Sequence, residues 1–204
     1  MLSMRRTSRG FTITEMMVAV AVVAILLGLG VPSMVGYLEA AKQNSAAQSY
    51  LAGVQTARAT AIRQNLRAEF VLTNTPVETA NLADNVVPAA NGLNWVVRVV
   101  DPTRPPPAFL LIEAKSANES GGNAGQTAQI VGLGAPNAFA GILPFNGFGS
   151  TADANNYTFI VQNPRGGACA PAGPMRCPNI LVPAGGLARI CDPLANAATD
   201  SRGC

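Results

Sequence analysis

The chain has 204 residues, of which 49% are hydrophobic and 12% charged, enough for an anchor and one domain with a modest core. Fourteen Lys and Arg stand against eleven Asp and Glu, and there is no His, so neither a Ser-His-Asp nor a Cys-His nucleophile can be assembled. Three of the fourteen basic residues, Arg5, Arg6 and Arg9, open the chain; the remainder carries eleven charges of each sign and offers no bulk field for nucleic acid.

The first element is an apolar run over residues 16–38, twenty-three positions without Lys, Arg, Asp or Glu. At about 1.5 Å per residue it predicts roughly 35 Å of helix, enough for a hydrocarbon core of about 30 Å. The basic head places the N-terminus on the cytoplasmic side and the rest of the chain beyond the membrane. A secretory signal would be cut after the run, at an A-x-A-like site. Pro32-Ser33-Met34-Val35-Gly36-Tyr37 matches that poorly, and the alternative cut, after Gly10, leaves the apolar helix on the mature chain. One carboxylate, Glu15, stands at the edge of the run. Such a charge costs about 2.5–3.5 kcal/mol deep in a span and less near its end, and it normally finds a partner.

Arg9-Gly10-Phe11-Thr12-Ile13-Thr14-Glu15 resembles the cleavage and methylation signature of type IV pilins and type II secretion pseudopilins. It departs from the signature at Thr14, where Ile or Leu is usual. The resemblance implies that prepilin peptidase cuts between Gly10 and Phe11 and that Phe11 is N-methylated. It implies that Glu15 pairs with the new amine of Phe11 on a neighbouring subunit during assembly, and that Pro32 kinks the helix.

The helical pattern continues over 39–65, where Tyr50, Leu51, Val54, Ala57, Ala61, Ile62 and Leu66 recur at spacings of three and four and form one apolar stripe. Short runs rich in Val, Ile and Phe follow at 66–72, 93–100, 108–113, 141–145, 157–162, 179–182 and 187–191, separated by Gly, Pro and Asn, and these predict β-strands. Two long intervals, 73–92 and 116–137, are rich in Ala, Asn, Gly and Thr and are expected to be exposed, partly mobile loops. Three further stretches resemble the GspH/FimT-type minor pseudopilins: residues 57–65 at the end of the spine helix, 93–99 around Trp95, and Arg189-Ile190-Cys191-Asp192-Pro193 with the terminal Cys204.

Cys169, Cys177, Cys191 and Cys204 all fall in the tail, without a C-x-x-C pair or a His, which argues against zinc. An even count in an exported segment reads as disulfides. Of three possible pairings, Cys169–Cys177 with Cys191–Cys204 is favoured because it closes short local loops. Asp153-Ala154-Asn155-Asn156 offers oxygen ligands but too few for a recognised calcium loop, and reads as a solvated turn. Some FimT-like members are implicated in DNA uptake through a basic motif near the C-terminus. The matching stretch here, Gly186-Leu187-Ala188-Arg189, keeps only Arg189 as a candidate DNA contact.

The expected fold class is therefore α+β and pilin-like: a long N-terminal helix, membrane-spanning in its first half, packed on an antiparallel β-sheet domain. The expected divisions are a leader over 1–10, a transmembrane and filament-core helix over 11–38, an amphipathic spine helix over 39–65, and a periplasmic β domain with a disulfide-stapled tail over 66–204. The expected function is that of a minor pilin or pseudopilin in a type IV pilus or a type II secretion pseudopilus, without enzymatic activity, cofactor or metal. The alternative is a DNA-binding minor pilin for uptake in natural transformation. Expected partners are other pilins or pseudopilins, prepilin peptidase and the lipid of the bacterial inner membrane, which the chain crosses once before joining the filament.

Overall fold

The computed structural model describes residues 11–105, 108–117, 129–134, 139–162, 168–173 and 175–204, with 28–35 and 129–134 described by backbone alone. One helix, α1 (Ile13–Gln64), runs through both compact units of the chain, Met1–Leu38 and Glu39–Cys204. Among the described residues no helix is long and apolar enough to cross a membrane. Every described side chain from Phe11 to Leu27 is exposed. At its other end α1 stops in a Schellman turn, where Asn65 takes φ 52° and the amides of Asn65 and Leu66 bond the carbonyls of Ile62 and Ala61.

In the second unit the helix is a spine for two four-stranded antiparallel sheets. The first has the order β3 (Phe109–Lys115), β2 (Asn94–Val100), β1 (Ala68–Thr73), β5 (Ile142–Phe145). The second has the order β4 (Gln129–Gly134), β6 (Tyr157–Gln162), β7 (Asn179–Val182), β8 (Arg189–Cys191). Thr151 joins them, bridging to Phe145 of β5 while its amide donates to Ala184 O at 2.9 Å.

Small residues on the helix let both sheets approach. Ala46, Ala47, Tyr50, Val54, Ala57 and Ala61 share one core with Phe70, Trp95 and Val97 of the first sheet and Phe159, Val161, Ile180 and Val182 of the second. Gly53 is required by the same closeness: a Cβ there would stand 2.8 Å from the Phe70 ring and 3.0 Å from that of Trp95. Buried polar groups on the helix are paired, Gln43 donating to Val161 O at 2.6 Å and Ser49 accepting from the Trp95 indole at 3.2 Å. The predicted stripe is thus the packed face, except that Ile62 stays 45% exposed.

Two of the expected loops are corrected. Interval 116–137 contains β4, which pairs with β6 from Gln129↔Gln162 to Gly134↔Tyr157. Interval 73–92 folds over the outer face of the first sheet: α2 (Leu82–Asn85) and the turn after it bury Leu82 and Val86 against Val71 and Val96. Thr73 Oγ1 donates to Val87 O at 2.6 Å and the Ala89 amide to Leu72 O at 2.8 Å, so this segment is tied down.

With both faces covered, β1 is buried along its whole length, and it carries a charge. Glu69 accepts from Arg98 at 2.8 Å and from Arg67 at 2.9 Å. Arg98 also donates to Ala83 O at 2.9 Å and lies 3.7 Å over the Phe109 ring, so it clamps α2 to β1 and β3. Beside it Arg104 bonds Asp101 at 2.7 Å and Asp84 at 2.8 Å. The Asp101 carboxyl is held down at about 2, first by the Thr103 hydroxyl and then by Arg104.

Candidate functional site

The N-terminal turn of α1 is the first place where predicted site residues meet. Thr12 is the N-cap and Glu15 the third helical residue, and the two satisfy each other. The Thr12 amide and hydroxyl donate to Glu15 Oε2 at 3.1 and 2.9 Å, and the Glu15 amide donates to Thr12 Oγ1 at 3.3 Å. This is a capping box, so within one chain the carboxylate already has a partner at the positive end of the helix. Thr12 was missed as a site residue, although Thr-x-x-Glu ahead of an apolar run is a legible signal. Phe11, just outside the cap, is 74% exposed. From there Ile13, Met16, Met17, Val18, Val20, Val22 and Val23 point outward on every side of the helix, all at least half exposed. A helix apolar all round is one that lipid or other helices cover. Gly10 and the side chain of Pro32 lie outside the described residues.

The second place is the tail. The disulfides are Cys169–Cys177 and Cys191–Cys204, with Cα–Cα distances of 5.5 and 5.1 Å. The second closes the C-terminal loop onto β8, where the Asp192 amide also bonds Arg202 O at 2.7 Å. Arg189 serves that closure: its guanidinium donates to Gly203 O at 3.1 Å and reaches Ser201 O at 3.5 Å. Arg176 pairs with Asp192 at 3.4 Å and Arg202 with Asp200 at 2.7 Å.

The oxygen-rich turn near Asp153 is spent on itself. Asp153 accepts from the Asn155 amide and side chain at 3.2 and 2.9 Å and from the Tyr157 hydroxyl, while Asn156 accepts from the Ala184 amide at 2.8 Å. Burial, then the bond to Asp153, pushes the Tyr157 hydroxyl up to about 12. Among the described residues no three His, Cys, Asp or Glu converge as metal ligands would.

Comparison with known proteins agrees with this anatomy. Residues 5–31 match the family model described as the prokaryotic N-terminal methylation motif. In structure the chain is similar to the type IV minor pilin FimU of Pseudomonas aeruginosa (strain PAO1), with a TM-score of 0.51 over 78% of this chain and 98% of that one, at 13% identity. A second crystal form of FimU gives a TM-score of 0.46 over 74% of this chain and 98% of that one, also at 13% identity. No curated protein matches the chain in sequence. At that identity the likeness is one of fold, a long N-terminal helix packed on antiparallel sheet.

Proposed function

We propose that this type IV pilin-like chain, with the prokaryotic N-terminal methylation motif at its head, is a minor pilin or pseudopilin of the GspH/FimT type, a structural subunit of a type IV pilus or of a type II secretion pseudopilus. The observation that carries the proposal is the first turns of α1: apolar on all sides, exposed on all sides, and bearing a single carboxylate. A surface of that kind is stable only where lipid or neighbouring helices replace water.

In this reading the apolar helix anchors the chain in the inner membrane with the β domain on the periplasmic side. Prepilin peptidase hydrolyses the peptide bond between Gly10 and Phe11, and Phe11, the new N-terminus, is N-methylated. Glu15 waits in its bonds to Thr12, then turns to the amine of Phe11 on a neighbour as the helix joins the bundle. The exchange is favourable because hydrogen bonds to a neutral cap are replaced by one to a charged amine in a medium that hardly screens it. Pro32 gives the helix the bend that bundle packing needs.

The DNA-uptake reading draws less support. Duplex binding requires several phosphates to be neutralised together. In the tail Arg176 and Arg202 stand next to Asp192 and Asp200, and Arg189 is turned onto backbone carbonyls. Filaments sheared from cells producing the chain are expected to contain it at a low ratio to the major subunit, as immunoblotting would read. A chain confined to the membrane fraction contradicts the proposal.

A further inference from the structure

One position of the apolar stripe does not pack into the core: Ile62, near the end of α1. The loop after β5 meets it there. A Cβ on Gly149 would stand 2.5 Å from Ile62 Cδ1, and a Cβ on Gly186 would run into Gly149 O, so two turns nest on this part of the helix. The residues beside the glycines, Phe148 and Leu187, are 87% and 68% exposed. Phe148 is held in place nonetheless. Asn146 Oδ1 accepts from the Phe148 and Ser150 amides at 3.0 and 3.2 Å, and the Gly149 amide donates to Asn146 O at 2.8 Å. A bonded turn thus presents a phenylalanine to water, with an exposed isoleucine and an exposed leucine around it.

One cation stands among them. Arg58, half-buried, donates through Nε to Gly149 O at 2.9 Å, and no carboxylate pairs with its guanidinium among the described residues. Aromatic side chains and arginine are what binding hot spots are richest in. An arginine partly covered by apolar neighbours favours a carboxylate on the partner. A single cation does not suit the row of phosphates on a nucleic acid.

The same chain carries the complement. β3 is the outer strand of the first sheet, at the opposite edge from β5. On it Leu110 and Leu111 are 47% and 48% exposed, and Glu113 is exposed with no cation paired to it among the described residues. One edge of the sheet therefore bears apolar side chains beside an unpaired carboxylate, and the other bears apolar side chains around an unpaired arginine. We propose that a second copy of this chain seats its β3 on the Phe148 patch, with Leu110 and Leu111 against Phe148, Leu187 and Ile62, and Glu113 paired with Arg58. Because the two patches differ, the contact is head-to-tail and can repeat from copy to copy. It uses the second unit alone and does not depend on the membrane-anchored reading above.

The test places photoreactive p-benzoylphenylalanine at position 148 of the full chain in detergent. Light and isotopically heavy chains are mixed, so that mass spectrometry tells cross-links between copies from those within one. The expected product joins position 148 of one copy to residues 109–115 of another. Arg58→Glu and Glu113→Lys should each lower its yield about tenfold, the effect of about one lost charge pair. Mixing the two variants should restore it, because the swapped charges then meet across the contact; a chain that had merely misfolded would not recover. Glu113→Gln, a milder change at an exposed site, should lower the yield as well. Cross-links confined to one copy, or cross-links between copies that map to the apolar helix instead of β3, overturn the proposal. So does an unchanged yield in Glu113→Gln, or a pair of variants with the parent's Trp95 fluorescence that fails to recover on mixing. A cross-link from position 148 to added duplex DNA in place of β3 overturns it in favour of a nucleic-acid surface.

Discussion

Replacing Glu15 by Ala is expected to leave a chain that is cut and anchored as before yet enters filaments at about a hundredth of the parent's level. The substitution removes a carboxylate that costs about 2.5–3.5 kcal/mol deep in lipid, so the waiting subunit becomes more comfortable in the membrane. What it loses is the attraction to a neighbour's amine where little water screens it. An uncompensated partner in such a setting costs about 3–5 kcal/mol, at least a hundredfold in an equilibrium constant. Glu15→Ala also breaks the capping box with Thr12, worth about 1 kcal/mol. Glu15→Gln separates the two effects, because its amide oxygen still accepts from Thr12 while its charge is gone. Immunoblots of sheared filaments against membranes decide the matter. If assembly depends on the charge, Gln and Ala are equally deficient; if Gln restores incorporation, the cap and not the pairing is what assembly needs.

The largest effect on stability is expected at Arg98. Arg98→Met leaves Glu69 buried with only Arg67, whose side chain is 53% exposed, and should lower the unfolding free energy by about 3 kcal/mol, the low end for breaking a buried pair. The bond to Ala83 O and the contact over Phe109 are lost as well, so α2 loosens from the sheet. Trp95, the single tryptophan, packs 5.8 Å from the Phe70 ring in the core and reports unfolding by fluorescence during denaturant titration of the full chain in detergent. The double variant Glu69→Met/Arg98→Met removes both charges and should recover most of the loss. A midpoint unchanged in Arg98→Met would contradict this view of the clamp.

What could be read from the sequence was whatever local pattern determines. The helix-period stripe ending near Asn65 and the Val- and Ile-rich strands fell within a few residues of their observed limits because packing face and turn residues are written side by side. The short-loop disulfide pairing followed from separations along the chain and is the one present. β4 escaped because Gly132 and Gly134 dilute its Ile130, Val131 and Leu133, and β6 supplies the hydrogen bonds that make it a strand. The cover over the first sheet escaped for a related reason. Leu82 and Val86 stand at a helical spacing of four, but two apolar residues in a polar stretch show no period until Val71 and Val96 lie beneath them. The pairing of Glu69 with Arg98 spans twenty-nine residues and depends on the register of β1 against β2, which no local signal carries. At the N-terminus the opposite held: Gly10, Phe11 and Glu15 were legible as a motif, and Thr12, equally legible as a cap, gained its meaning only from the geometry.

Processing as a pilin-like subunit leaves its mark on the mature N-terminus. Intact and peptide mass spectrometry of the chain from cells with active prepilin peptidase should find a protein that begins at N-methylated Phe11. A chain that keeps residues 1–10, or one that begins after Gly36, contradicts it.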